Sequence, residues 1–155
     1  MEIATSVDVV LPRSLEDVWT ASATLENLPK TFGAVAPIPG VRACEVDGGG
    51  QLTAGKVRIV HLTDGTTSRE EILELIPRSR HRYKLVGLAP PFSWLVRWGI
   101  ADWTFTAVDG GTRIQWSYTF TLTTPLAWPI ARLAVFFFSR AMAGNLAGIR
   151  RLLGA

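Results

Sequence analysis

Cysteine is all but missing from this chain. Cys44 is the only one, so no internal disulfide can form and no cysteine-based metal site is available. Charge is sparse as well: 19% of the 155 residues are charged, and the net charge is +3. Mild basicity of that size allows an acidic partner or an anionic surface, but it is not the footprint of a nucleic-acid-binding protein. Long apolar runs are lacking. The stretch from Leu126 to Phe138 is too short to span a bilayer and carries Arg132. The N-terminus, MEIATSVDVV, has no basic region followed by an apolar run, so no signal peptide is expected. Gly48-Gly49-Gly50 has neither a following Lys-Ser/Thr nor Rossmann spacing and reads as a turn, not a phosphate loop. The two histidines, His61 and His81, fall on different expected strands without a ligand motif, so neither a metal nor any other cofactor is expected. There is no internal repeat, low-complexity tract or interdomain linker. With 48% hydrophobic residues, the expectation is one soluble cytoplasmic domain, residues 1–155, with a real core.

What is present is organised around the last long stretch, Pro125 to Leu153. Val135, Phe138, Met142, Leu146, Ile149 and Leu153 recur at spacings of three and four, which places them on one stripe of a helix. Arg132, Ser139, Arg140, Arg150 and Arg151 fall on or near the other side. Thr124 can cap this helix. Pro129 either kinks its first turn or marks its true start. Everything before it reads as strands, apart from a helix opening at Ser14 and a second short one over Thr24 to Leu28, ahead of Pro29. Strands are expected over Glu2–Leu11, Val41–Val46, Gln51–Leu62, Thr66–Ile76, Ser79–Gly87, Trp98–Val108 and Thr112–Thr123. Loops are expected over Thr31–Gly40 and Leu88–Arg97.

Closing the hairpins assigns residues to faces. A two-residue turn at Asp64-Gly65 sets Val57 opposite Ile72, Arg58 opposite Glu71 and Ile59 opposite Glu70. A two-residue turn at Pro77-Arg78 sets Ile72 opposite Tyr83 and Glu74 opposite His81. With Gly110-Gly111 as the last turn, Phe105 faces Trp116 and Trp103 faces Tyr118. Alternation then gives an inner face of Val57, Ile59, His61, Glu70, Ile72, Glu74, His81, Tyr83, Leu85, Trp103, Phe105, Ile114, Trp116, Tyr118 and Phe120. Arg58, Glu71, Arg80, Arg82, Lys84, Asp102, Arg113, Gln115 and Thr119 fall outside. A slip of one residue in either of the first two hairpins reverses these assignments.

Glu70, Glu74, His61 and His81 thus point into an aromatic surround. Carboxyl and imidazole groups in such a place suit general acid/base work, and Glu70 and His81 are the candidate catalytic pair. The plainer reading pairs Glu70 or Glu71 with Arg58, and Glu74 with a neighbouring arginine. Tyr83, Trp103, Phe105, Trp116 and Tyr118 form either simple core or the wall of a ligand site; the residues alone leave both open. Ala141 and Gly144, with Ala147 and Gly148, make a smooth flank on the long helix, for close packing or for a ligand. Phe137 belongs to the helix's first half, which is apolar almost all round and suits loop packing, a membrane surface or a dimer contact. The basic residues Arg80, Arg82 and Lys84 have no aromatic platform among them, so no nucleic-acid partner is expected.

The motifs VDVVLPRSLEDVW, GKVRIVHLTDG followed by Glu70, RYKLV around Tyr83 and GGTRIQWSYTF resemble the START-like (SRPBCC) helix-grip superfamily, closest to its polyketide cyclase/dehydrase and lipid-transport branch. The resemblance covers essentially the whole chain. It implies an α+β helix-grip fold: a curved antiparallel sheet of six or seven strands wrapped around the C-terminal helix, with two short helices after the first strand. It also implies a cavity between sheet and helix for a small hydrophobic molecule, aromatic, polyketide-like or lipid-like. Three functions follow as alternatives. The chain acts on its ligand as a cyclase or dehydratase, it carries a lipid or quinone and docks on membranes by the start of the helix, or it is an interaction module with no cavity.

Overall fold

The first strand, β1 (Glu2–Leu11), alternates exposed residues with half-buried or buried ones and ends at Pro12. The computed structural model describes residues 1–155. Ser14 caps α1 (Leu15–Ala23) by accepting a hydrogen bond from the Asp17 amide at 3.1 Å, and Glu16 and Asp17 complement the positive end of its dipole. The second helix lies later than its expected span: α2 is Leu28–Thr31. Pro29 sits in its first turn, where a missing N–H costs nothing, so that proline starts the helix instead of ending one.

Six more strands follow: β2 (Val41–Val46), β3 (Val57–Leu62), β4 (Thr67–Ile76), β5 (Arg80–Val86), β6 (Val96–Val108) and β7 (Gly111–Leu122). A one-turn helix, α3 (Phe92–Leu95), occupies part of the expected loop before β6. Strand β3 begins at Val57, not Gln51, because a turn at Thr53–Lys56 with Gly55 at φ 89 interrupts the extension. All seven strands form one antiparallel sheet in the order β1-β7-β6-β5-β4-β3-β2. A short 3-10 turn, Pro125–Ala127, capped by Thr124, leads into α4 (Trp128–Leu152), with Pro129 in its first turn. Together these make the α+β helix-grip architecture expected from the sequence. By length and composition alone the Pro125–Leu152 segment could cross a bilayer, yet its stripe of Ala131, Val135, Met142, Leu146 and Ile149 is buried in the core.

Three registers differ from expectation, and the two differences that change faces have local causes. Between β3 and β4 the pairs are Arg58 with Glu70 and Val60 with Ser68, a slip of one residue. The Gly65 amide bonds to the Leu62 carbonyl, the Leu62 amide to the Thr66 carbonyl, and Gly65 sits at φ 86. This is a three-residue loop with glycine in the left-handed position, and the Asp64 carboxylate holds it by accepting from the Thr66 amide and hydroxyl. The slip turns Arg58 and Val60 inward and Val57, Ile59 and His61 away. In β4 a bulge between Ile72 and Glu74 keeps Ile72 opposite Tyr83 but sets Leu75 opposite His81 and Glu74 opposite Arg82. The last hairpin is shifted by two residues: Val108 pairs with Gly111, Trp103 with Trp116 and Phe105 with Ile114. A shift of two preserves the faces, so its inward residues are those expected.

Candidate functional site

The inner face of the sheet is laid out in rows that cross the strands. Nearest the β5–β6 connection are Leu85, Gly99 and Phe120, with Glu70 and Arg58 continuing the row onto β4 and β3. Next come Ile72, Tyr83, Ala101 and Tyr118, and then His81, Trp103 and Trp116. The small residues matter. A Cβ on Gly99 would lie 2.8 Å from the Phe120 ring, so only glycine lets that ring fold across β6. Ala101 leaves room for the Tyr118 hydroxyl to reach over it and donate to that of Tyr83 at 3.0 Å. Trp103 and Trp116 stack at 4.1 Å. Below them Phe105, with Trp19 against it at 5.0 Å, closes the far end.

Between these rows, α4 and the loops lies a cavity of about 280 Å³. Glu70, His81, Tyr83, Trp103, Trp116 and Tyr118 all line it. The remaining wall includes Phe32, Val41, Val60, Leu85, Leu88, Phe92, Leu95, Ala134 and Phe138, and Pro37–Pro39 and Ala89–Pro91 border its mouth. Not every expected wall residue is here. Phe105 is buried core beneath the floor, and Phe137 on α4 is half-buried and does not line the cavity. Ala141 and Gly144 pack toward the α2 side: Val35 is the neighbour a Cβ on Gly144 would touch, at 3.7 Å, and a Cβ on Gly148 would strike the Thr31 carbonyl oxygen at 2.4 Å. The smooth flank of α4 therefore serves helix packing.

The expectation that His61 and Glu74 point inward is corrected. His61 lies on the outer face with Nε2 3.5 Å from the Glu45 carboxylate, a consequence of the three-residue loop. Glu74, turned outward by the bulge, meets Arg80 at 3.6 Å, and Arg80 grips Asp102 through two further hydrogen bonds. In their place stands Arg58, which the assumed register had put outside. It is almost wholly buried and gives both Nε and Nη2 to one oxygen of Glu70, while its guanidinium lies 5.4 Å from the Tyr83 ring. The signal for it was the plain alternation Arg58, Val60, Leu62, readable once the loop length is known.

Burial sets the electrostatics. It pushes the Glu70 carboxyl above its ordinary range, with the Arg58 charge pulling the other way. Burial opposes charge on Arg58 too, but Glu70 holds the guanidinium protonated. His81 is driven down to about 3, first by burial and then by the Arg58 charge, so it is neutral at physiological pH. Burial likewise raises both tyrosines, which stay protonated as donors. The site is thus formally neutral: one internal ion pair, a neutral imidazole and hydroxyl and indole groups in an aromatic box. No group of acidic, histidine or cysteine side chains is arranged to hold a metal ion.

Solved structures share the architecture at low identity. A Mesorhizobium loti protein superposes with a TM-score of 0.74 at 14% identity, covering 98% of this chain and 97% of its own. One from Nitrosomonas europaea gives 0.72 at 16%, covering 98% and 94%. StfQ, a di-domain ARO/CYC protein of the steffimycin biosynthetic pathway, gives 0.73 at 18%, covering 97% of this chain and 50% of StfQ. No curated protein matches the sequence. The family model described as polyketide cyclase / dehydrase and lipid transport matches residues 2–154, and the chain belongs to that family.

Proposed function

We propose that this protein binds one small hydrophobic molecule, ring-containing or lipid-like, between the sheet and α4. The observation that carries this reading is the cavity of about 280 Å³, walled by aromatic and aliphatic side chains with a few polar groups converging on it. A filled core would leave no such space. Native mass spectrometry of protein purified without detergent, followed by extraction of what is bound, tests it. A discrete extra mass that extracts as an apolar compound is the expected result. A clean mass together with no binding of any aromatic probe would overturn it.

A second reading has its own support. Trp94 and Leu126 are 68% and 88% exposed, and Ile130, Leu133 and Phe136 are exposed along the outer side of α4. Arg97, Arg132 and Arg140 surround them, and no acidic residue follows Asp109 in the chain. An apolar patch with a cationic rim and no carboxylate matches an anionic lipid surface better than a second copy of the same patch, which would bring like charges together. On this reading the protein is a cytoplasmic carrier that collects its ligand at a membrane. It should float with vesicles containing phosphatidylglycerol, and Phe136→Ser should abolish flotation. Wild type that stays unbound would remove the carrier reading.

Acid/base chemistry as in a cyclase or dehydratase would fall to Glu70 and His81, the two buried groups of that kind on the cavity wall. Glu70 is already engaged by Arg58, and an imidazole held near pKa 3 is a weak base at neutral pH. Both facts weigh toward binding. If there is turnover, Glu70→Gln and His81→Ala should each abolish it.

A further inference from the structure

Two nitrogen atoms on the cavity wall lack any partner. His81 Nε2 and Trp116 Nε1 are each buried without a hydrogen bond, on residues 5% and 2% exposed. A buried donor or acceptor left unpaired costs about 1–3 kcal/mol, so native folds retain few of them without a reason. The Asn145 amide is unpaired as well, but it does not border the cavity. His81 and Trp116 do, and they belong to the same row of the sheet, with Trp103 between them stacked on Trp116.

That row is the cavity floor. Strand β5 runs from His81 through Tyr83 to Leu85 and on toward the mouth at Leu88. Four residues at about 3.3 Å each put His81 roughly 13 Å below the Leu85 level. The wall between is mainly apolar: the tyrosine hydroxyls bond to one another, Arg58 is engaged by one oxygen of Glu70, and Thr66, Thr67 and Ser68 line it on the β4 side. The two lining residues with a buried, partnerless nitrogen therefore both lie at the closed end.

We infer that His81 and Trp116 bind the neutral, oxygen-bearing end of a ring compound, a phenol or ring ketone, which enters polar end first with its apolar body toward Leu85, Phe92 and Phe138. The inference rests on the reading that the cavity takes a small molecule. Trp116 can only donate, so it requires an acceptor oxygen on the ligand. Neutral His81 can donate to an oxygen or accept from a hydroxyl. A carboxylate is disfavoured, because an anion taken from water would find no uncommitted cation at the floor.

Calorimetric titration of wild type with naphthalene, 2-naphthol and 2-naphthoate near pH 7.5 tests this. Naphthol should bind about tenfold more tightly than naphthalene, the worth of one or two buried hydrogen bonds, and naphthoate more weakly than naphthol. In Trp116→Phe and His81→Phe the ratio of naphthol to naphthalene affinity should shrink toward one. The wild-type series stands even if a variant fails to fold. Equal binding of naphthol and naphthalene, or tightest binding of naphthoate, overturns the inference while leaving the cavity reading intact. Failure of all three probes to bind overturns both.

Discussion

Arg58 and Glu70 illustrate how a single pair is held by its surroundings. Both are almost wholly buried, and each compensates the other's desolvation. Arg58→Met should cost about 3–5 kcal/mol at neutral pH, because it strands a buried carboxylate. The loss should shrink as pH falls and that carboxyl, raised by burial, takes up a proton. Adding Glu70→Leu should recover most of it, and urea midpoints of the three variants would decide; a double variant as weak as the single one would contradict the account. His81 contributes with its own sign. Its folded pKa of about 3 lies below the ordinary 6.5, so the unfolded chain binds the proton more readily. Stability from this group is fully present above pH 6.5 and is lost as pH falls toward 3, by at most about 1.4 kcal/mol per pH unit. Replacement by Phe should flatten the stability profile between pH 6.5 and about 5, where few carboxylates titrate. An unchanged slope would mean His81 is not buried neutral.

At the scale of elements, the two glycines on α4 make opposite predictions. Gly148→Ala places a Cβ 2.4 Å from the Thr31 carbonyl oxygen, which no side-chain rotation can relieve. It should destabilise by about 1–3 kcal/mol despite alanine's better helix propensity. Gly144→Ala meets only Val35 at 3.7 Å and should stabilise by up to about 1 kcal/mol. Equal shifts in denaturation midpoint would mean that α2 does not rest on α4 at Gly148. The same scale explains what could be read from the sequence. Element types were legible from periodicity, and the inward aromatics of β5, β6 and β7 were right because the last hairpin moved by an even number of residues. His61, Glu74 and Arg58 were misplaced because an Asp-Gly pair fits either a two-residue turn or the end of a three-residue loop, and because nothing in the strand sequence marks the bulge at Leu73. Alternation carries parity, and a single inserted residue inverts it.

Over the whole molecule, charge is unevenly distributed. After Asp109 the chain has arginines and no acidic side chain, and its apolar residues crowd one side of α4. If that side meets lipid, flotation with anionic vesicles should weaken as salt rises past about 0.15 M and should fall in Arg132→Glu, since the basic residues act over a screened distance. Flotation indifferent to salt would leave only the apolar residues in play. The strand order also has a bearing on synthesis. Strand β1 pairs with β7, Glu2 against Thr121 and Leu11 against Thr112, so the first strand of the sheet hydrogen-bonds to the last. A nascent chain must hold β1 as an unpaired edge until β7 emerges from the ribosome, and such long-range closure is slow. The polar residues Glu2, Thr5, Ser6 and Asp8 blunt that waiting edge, and chaperones that shield extended segments would have β1 as a client until β7 is made.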